Sequence, residues 1–256
     1  MDDLAVPDRI HVAPVGYEND RIVLPAAELA ADRLVLLVYD DETDHPSYLP
    51  EVRERLDDRG IPHESIPCDI FDFYDSIGTV GQVVSEFADA DVYVNLATGT
   101  KITAIGGMIA CMATGATPYY VRAEAYGPLT EADVAEGVRS LVELPTYPME
   151  YPDPQQVATL RHLAAEGAAT KKQLIRFAES ADLPALADHE ARNRKGKYRR
   201  LDARVLDDLD DNGYVSLDRS GRSTRVSITD AGRDALRAFA YLDPTGSVDD
   251  RSDASG

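Results

Sequence analysis

Short apolar runs in the first 144 residues alternate with stretches whose apolar positions recur at three and four. The runs Ile10 to Val15, Leu34 to Tyr39, Ile61 to Ile66, Val92 to Leu96, Pro118 to Arg122 and Leu141 to Leu144 read as strands. Between them, residues 21 to 30, 47 to 59, 73 to 89 and 100 to 114 read as helices, the last on Ile102, Ile105, Ile109 and Met112. This alternation specifies an α/β, Rossmann-like domain, because parallel strands need helical crossovers that cover both faces of the sheet. The last run is short, and is either antiparallel or an edge. Pro145, Pro148, Pro152 and Pro154 then favour extended backbone and stop helices, which divides the chain into 1–146 and 147–242.

Beyond that boundary the order becomes helices followed by a hairpin. Asp153 caps, Pro154 opens and Gly167 ends a helix that buries Val157, Leu160, Leu163 and Ala164. Thr170-Lys171-Lys172-Gln173 is a capping-box pattern opening a second helix, with Leu174 and Phe177 inward. After a polar loop from Asp182 to Gly196, the spacing of Tyr198, Leu201, Val205 and Leu209 predicts a third helix closed by Gly213. Tyr214 to Leu217 and Arg225 to Ile228 alternate as the strands of a hairpin, and a last helix runs from about Asp230 to Leu242. Helices followed by a two-stranded wing are the winged helix-turn-helix plan. Residues 243–256, rich in Asp, Ser and Gly, read as a disordered acidic tail.

Charge alters the picture once it is resolved along the chain. A formal net charge of −20 argues against a nucleic-acid partner, since phosphate recognition is driven by Lys and Arg. Residues 1–150, however, carry −19, residues 151–242 carry +2 and residues 243–256 carry −3. Asp (31) outnumbers Glu (15) and Arg (21) outnumbers Lys (5), a bias that fits a proteome in concentrated salt, where long-range repulsion is screened. The cations kept in 151–242 are therefore the informative feature. Arg192, Arg194, Lys195, Lys197, Arg199, Arg200 and Arg204 gather before and along the third helix, Arg219, Arg222 and Arg225 decorate the hairpin, and Lys171 and Lys172 open the second helix. The third helix and the wing are where a winged helix touches double-stranded DNA, and Arg suits guanine edges and phosphates. A solvated basic surface with a plain β turn would carry the same residues. Asp207, Asp208, Asp210 and Asp211, at the end of the third helix, run against its macrodipole.

Other chemistry is sparse. Cys68 and Cys111 form no CxxC, and His11, His45, His63, His162 and His189 form no ligand pattern, so neither a metal site nor a disulfide framework is expected. Both thiols read as small buried side chains. No run approaches the roughly 18 apolar residues of a membrane helix, and the acidic start lacks a signal-peptide pattern, which predicts a cytoplasmic protein.

In an open parallel sheet, ligands sit beyond the carboxyl ends of the strands. The fourth strand leads into Asn95-Leu96-Ala97-Thr98-Gly99-Thr100-Lys101 and then a helix, a turn that offers backbone N–H groups, hydroxyls and a cation to a phosphate. It would also serve as an ordinary strand-to-helix connection. It is not a Walker A loop, because Ile102 follows Lys101, and Gly16-Tyr17-Glu18 is not a GxGxxG fingerprint, which counts against a nicotinamide-dependent sensor. Gly106 and Gly107 are read as close helix-to-sheet packing.

Val12-Ala13-Pro14-Val15-Gly16-Tyr17-Glu18 after the first strand and Val94 to Lys101 after the fourth resemble the CRISPR-associated Rossmann fold (CARF) domain. Ile228-Thr229-Asp230-Ala231-Gly232-Arg233 is similar to the strand-to-helix junction after the wing of MarR-like regulators. As a whole the chain up to about 242 resembles the haloarchaeal and archaeal CARF winged-helix transcriptional regulators. That resemblance implies a homodimer whose ligand loops meet across a two-fold axis, and a pocket for a cyclic oligoadenylate or related nucleotide. Carried over by motif, Gly16, Tyr17 and Glu18 match the first loop and Asn95, Thr98, Gly99, Thr100 and Lys101 the second. This second loop has one glycine where the family often has two. The reading is a ligand-responsive regulator without turnover and without a cofactor. Its alternative is a ring nuclease, in which Thr98, Thr100 or Lys101 assists attack by a ribose 2'-hydroxyl, with Glu18 the one carboxylate in either motif.

Overall fold

A computed structural model describes residues 6–39, 48–126, 135–187, 194–219 and 223–245. The chain divides into two compact units, Met1–Met149 and Glu150–Gly256.

The first unit runs β1 (Arg9–Pro14), α1 (Asp20–Glu28), β2 (Arg33–Val38), α2 (Leu49–Asp57), β3 (His63–Pro67), α3 (Phe73–Glu86), β4 (Asp91–Asn95), α4 (Lys101–Thr114) and β5 (Thr117–Arg122). A small antiparallel pair follows, β6 (Ala125–Tyr126) with β7 (Ala135–Glu136), and then β8 (Ser140–Glu143). The sheet order is β3-β2-β1-β4-β5-β8; the first five strands are parallel and β8 runs antiparallel to β5 at the edge. This is the α/β arrangement that the alternating pattern predicts. Because the chain reverses its direction of growth between β1 and β4, the loops leaving those two central strands lie side by side.

Central strands are covered on both faces, so β1 buries Ile10, His11, Val12, Ala13 and Pro14 in succession. Helix α4 is unusual in being apolar all round. Its inward face is Gly106, Gly107, Ala110 and Cys111; a Cβ on Gly106 would lie 2.8 Å from Ser76 of α3, and one on Gly107 would lie 2.9 Å from Leu96. Gly107 therefore sets the distance to the sheet, as expected, whereas Gly106 sets the distance to helix α3 and not to the sheet. The periodic stripe is the other face: Ile102 and Ile105 are 39% and 57% exposed, while Ile109 and Met112 are half-buried.

The second unit opens with α5 (Pro154–Glu166), whose Asp153–Gln156 capping box is complete, and β9 (Ala168–Thr170), which the sequence did not signal. Then come α6 (Lys171–Ser180), with its Thr170–Gln173 capping box also complete, and the short α7 (Pro184–Ala187). Helix α8 (Arg194–Leu201) continues through a π-helical turn (Asp202–Leu206) into α9 (Asp207–Asp211). Strands β10 (Val215–Asp218) and β11 (Arg225–Ile228) form the wing, with β9 pairing on the free edge of β11, and α10 (Asp230–Phe239) closes the unit. The π turn lets two adjacent residues, Val205 and Leu206, join Leu201 and Leu209 in a core shared with Leu160, Leu163, Leu174, Val215 and Val226.

Three expectations need correction. The third helix starts at Arg194, not near Tyr198, so Lys195 and Lys197 lie on it rather than in the loop before it. The segment from Asp182 to Gly196 is not all loop, since α7 lies within it. The acidic tail does not begin at Asp243, whose carboxylate is buried against Arg161 and accepts from the Thr245 amide at 2.8 Å. Residues 246–256 lie outside the described residues. The junction after the wing has a physical basis in this fold. Thr229 caps α10 through the Gly232 amide and donates to the Gly213 carbonyl, and any side chain at Gly232 would strike the Tyr214 carbonyl, 2.1 Å from its Cβ position.

Candidate ligand loops and nucleic-acid interface

The two N-terminal motifs meet. A Cβ on Gly16 would stand 2.9 Å from the Gly99 amide nitrogen, and Gly99 has φ +74° with its own Cβ position 2.6 Å from that of Pro14. Only glycine fits either position, because one requires close backbone approach and the other adds a left-handed conformation. The residues around this contact divide into those whose side chains hold the loops by hydrogen bonds and those whose side chains make no such bond.

Glu18 and Asn95 belong to the first group. The Glu18 carboxylate accepts from Arg21 at 3.0 Å, and the guanidinium of Arg21, almost fully buried, also donates to the Val121 carbonyl at 2.8 Å and lies over the Tyr120 ring. Asn95 is fully buried; its amide donates to the Arg21 carbonyl at 2.7 Å and accepts from the Ala97 amide at 2.9 Å. The pair ties the ends of β1, β4 and β5 together. Thr100 is the N-cap of α4, accepting from the Thr103 amide at 3.0 Å, and its hydroxyl donates to the Ile70 carbonyl at 2.6 Å. Thr103 donates to the same carbonyl.

Tyr17, Thr98 and Lys101 belong to the second group. Tyr17 is 49% exposed and packs edge-on against Tyr48 with ring centroids 5.2 Å apart. Thr98 is buried, and its hydroxyl has no hydrogen-bond partner. Lys101 is exposed on the first turn of α4, where the leading amides precede the first intrahelical bond. Pattern reading missed Arg21 and Tyr48. Neither lies in a motif, and both act through contacts distant in sequence.

Beneath these loops His11 is fully buried, stacked on Tyr93, with Nδ1 3.2 Å from the Tyr119 hydroxyl and Nε2 unpartnered. Burial, with Arg9 adding to it, lowers its pKa to about 4, and burial raises that of Tyr119. Cys68 and Cys111 are both buried and free, their thiols pushed up to about 12, chiefly by burial. Among the described residues no group of His, Cys, Asp or Glu could hold a metal ion, and no helix is long and apolar enough to cross a membrane.

On the C-terminal unit, charge is segregated along one helix. Lys195, Arg199 and Arg204 are exposed on α8 and the π turn, whereas Asp207, Asp208, Asp210 and Asp211 occupy α9. Lys197 pairs with Glu179, and Lys171 pairs with Asp202 at 2.6 Å. Asp208 accepts from the Gln156 side chain at 3.1 Å, so one of the four terminal acids is part of the α5 contact. Lys172, Arg219 and Arg225 are exposed, and Arg200 is half-buried. Arg192 and Arg222 lie outside the described residues, as does the side chain of Arg194.

Family models match both units: the HFX_2341-like N-terminal domain over residues 9–126, and the DUF6293 C-terminal winged helix domain over residues 155–240. The chain is thus an HFX_2341-like α/β domain followed by a winged helix domain. An uncharacterized protein of Methanocaldococcus jannaschii, MJ1513, is 24% identical over 127 residues, 45% of this chain and 38% of that protein. Among solved structures, Can2 from Sulfobacillus thermosulfidooxidans, in complex with cyclic tetra-adenylate, aligns with TM-score 0.41 and 13% identity over 91% of this chain and 64% of that one. Csm6 from Enterococcus italicus, bound to cyclic hexa-2'-fluoro-hexa-dAMP, aligns with TM-score 0.43 and 11% identity over 80% and 56%. The chain thus spans less than two thirds of the length of each of these relatives.

Proposed function

We propose that the protein is a homodimeric, ligand-responsive transcriptional regulator: its CARF-like domain senses a nucleotide such as a cyclic oligoadenylate, and its winged helix binds double-stranded DNA. The observation that carries this reading is the contact of Gly16 with Gly99, which joins the loop bearing the exposed Tyr17 to the loop leading to the exposed Lys101 at the switch between β1 and β4. A ring and a cation are what a base and a phosphate require. In support, the Can2 structure holds a cyclic tetra-adenylate. For the winged helix, the cations sit on the N-terminal part of the third helix, the part that meets base edges in this class.

Dimerisation would use α4. A helix apolar on both sides needs a second cover, and Ile102 and Ile105, the most exposed of its isoleucines, lie on that outward face. It begins one residue after Lys101, so pairing it would bring two ligand loops together.

The ring-nuclease alternative finds less support in the geometry. The Thr100 hydroxyl is engaged by Ile70 and Thr103, and Glu18 is held by Arg21. Incubation with cyclic tetra-adenylate separates the two readings: retention of intact ligand on the protein supports the sensor, and accumulation of linear product overturns it.

A further inference from the structure

The Thr100 and Thr103 hydroxyls do more than begin α4. Both donate to the Ile70 carbonyl, at 2.6 and 2.7 Å, so the first turn of α4 grips the turn that follows β3. That turn is also closed on itself. The Asp69 carboxylate accepts from the Phe71 amide at 3.0 Å, the Asp69 amide donates to the Asp75 carboxylate at 2.7 Å, and the Asp72 amide donates to the Asp69 carbonyl at 3.0 Å. Ile70 is buried and supplies the turn's apolar anchor.

Phe71, the next residue, does not share that burial. It is 47% exposed, and its ring meets Tyr39 edge to face with centroids 5.1 Å apart. A single exposed ring is ordinary on a protein surface, but this one is held in a fixed place. Phe71 follows Ile70 and Lys101 follows Thr100, so an exposed ring and an exposed cation flank the two ends of one 2.6 Å hydrogen bond.

The chemistry of the turn narrows the occupant. A ring fixed by its backbone offers a π-face to another planar group, and Lys101 offers a charge to an anion. Asp69, exposed and held at the Phe71 amide, offers an acceptor to an amine. A dry contact with an apolar surface would have to desolvate that carboxylate. A nucleobase with an exocyclic amine, carried on a phosphodiester, satisfies all three groups.

We propose that the turn between β3 and α3 is a third ligand loop, in which Phe71 stacks on a base that carries an exocyclic amine. The amine donates to Asp69, and the phosphate next to that base meets Lys101. This inference rests on the nucleotide-sensor reading above.

The test is isothermal titration of the full chain with cyclic tetra-adenylate at fixed KCl, on wild type, Phe71→Ala, Phe71→Leu, Phe71→Tyr and Lys101→Ala, with light scattering on each. Cyclic tetra-inosinate, in which a carbonyl oxygen replaces each exocyclic amine, is the second probe. The expected loss in Phe71→Ala is about 5- to 100-fold, the span of one base–aromatic stack. Phe71→Leu should lose as much, Phe71→Tyr should bind as wild type does, wild type should hold the inosinate more weakly, and no Phe71 variant should change in mass. Wild-type affinity in Phe71→Ala, rescue by Phe71→Leu, or equal affinity for the two probes overturns the proposal. A change of oligomeric mass in the Phe71 variants also overturns it, because the ring would then belong to a contact between copies. The two readings fail differently: weakened Lys101→Ala beside unaffected Phe71→Ala sinks this inference and keeps the sensor, whereas a wild type that binds neither probe sinks both. Should Phe71→Ala fail to fold, Phe71→Leu and Phe71→Tyr, which keep the bulk of the side chain, decide.

Discussion

Replacing Gly99 by alanine should damage the chain far more than the same change at Gly115, although both glycines adopt left-handed backbone. At Gly115, φ is +84° and nothing lies within 4 Å of the added carbon, so only the conformational cost of about 1–2 kcal/mol applies. At Gly99, φ is +74° and the new methyl would stand 2.6 Å from the Pro14 Cβ, against an ordinary carbon contact of about 3.5–4.0 Å. Pro14 ends β1, paired to Leu37 in the middle of the sheet, and cannot yield an ångström freely. Overpacking of this kind adds about 1–3 kcal/mol. The Gly99→Ala chain should therefore be destabilised by about 2–5 kcal/mol and the Gly115→Ala chain by about 1–2. Urea unfolding followed by far-UV circular dichroism, at one KCl concentration, gives both midpoints; the chain has no tryptophan to follow. Equal midpoints for the two variants would refute the contact between the loops.

Three further outcomes follow from the geometry. Lys101→Ala should leave stability within about 0.5 kcal/mol, because the side chain is exposed, and should weaken nucleotide binding by about 10- to 100-fold through loss of a charged hydrogen bond; thermal shift and titration read the two effects separately. Ile105→Glu should convert a dimer to a monomer by light scattering without lowering the midpoint of urea unfolding, and a monomeric wild type would remove the dimer face from the account. His11 takes up its proton near pH 4 when folded but near 6.5 when unfolded, so the unfolded chain binds more protons between these values. Stability should accordingly be intact above pH 6.5 and fall by about 3 kcal/mol on acidification to pH 4. His11→Phe should flatten that limb. Asp20, whose pKa is lowered despite the opposing effect of its burial by the Gly137 amide and Arg55, contributes stability that is lost only at lower pH, as the carboxylate protonates.

Strands β1 to β5 and helices α1 to α6 were legible because their apolar spacing and caps are local properties. Strand β9 was not, since Ala168, Ala169 and Thr170 have no pattern of their own and are ordered by pairing with β11. The α4 stripe was visible but carried no direction: an inward face built of Gly106, Gly107, Ala110 and Cys111 gives little hydrophobic signal, so the stronger stripe of isoleucines points outward. Motif reading brought Gly16 and Gly99 to one place, yet spacing could not tell Tyr17 and Lys101, which face outward, from Glu18 and Asn95, which are spent on Arg21. The start of α8 escaped because Arg194 to Lys197 contain no apolar residue, and helix formation there follows from the packing of Tyr198 and Leu201.

In the proposed function a nucleotide loop is coupled to a DNA-reading helix, and fluorescence anisotropy on a duplex selected by the protein from a random pool tests that coupling most directly. Titrations against the selected and a scrambled duplex would be run across a KCl series, with and without saturating cyclic tetra-adenylate, on wild type, Lys101→Ala, Arg199→Ala and Arg204→Ala. Counterion release alone loses several decades of affinity between dilute and molar salt, so preference that persists in salt must come from base contacts, each worth about 1–3 kcal/mol. The predicted result is a selected-to-scrambled ratio that falls in at least one of the two helix variants, and a severalfold change in wild-type affinity on adding the nucleotide that Lys101→Ala reduces or abolishes. A selected duplex bound no better than the scrambled one, or with the same affinity in the presence and absence of bound nucleotide, contradicts it.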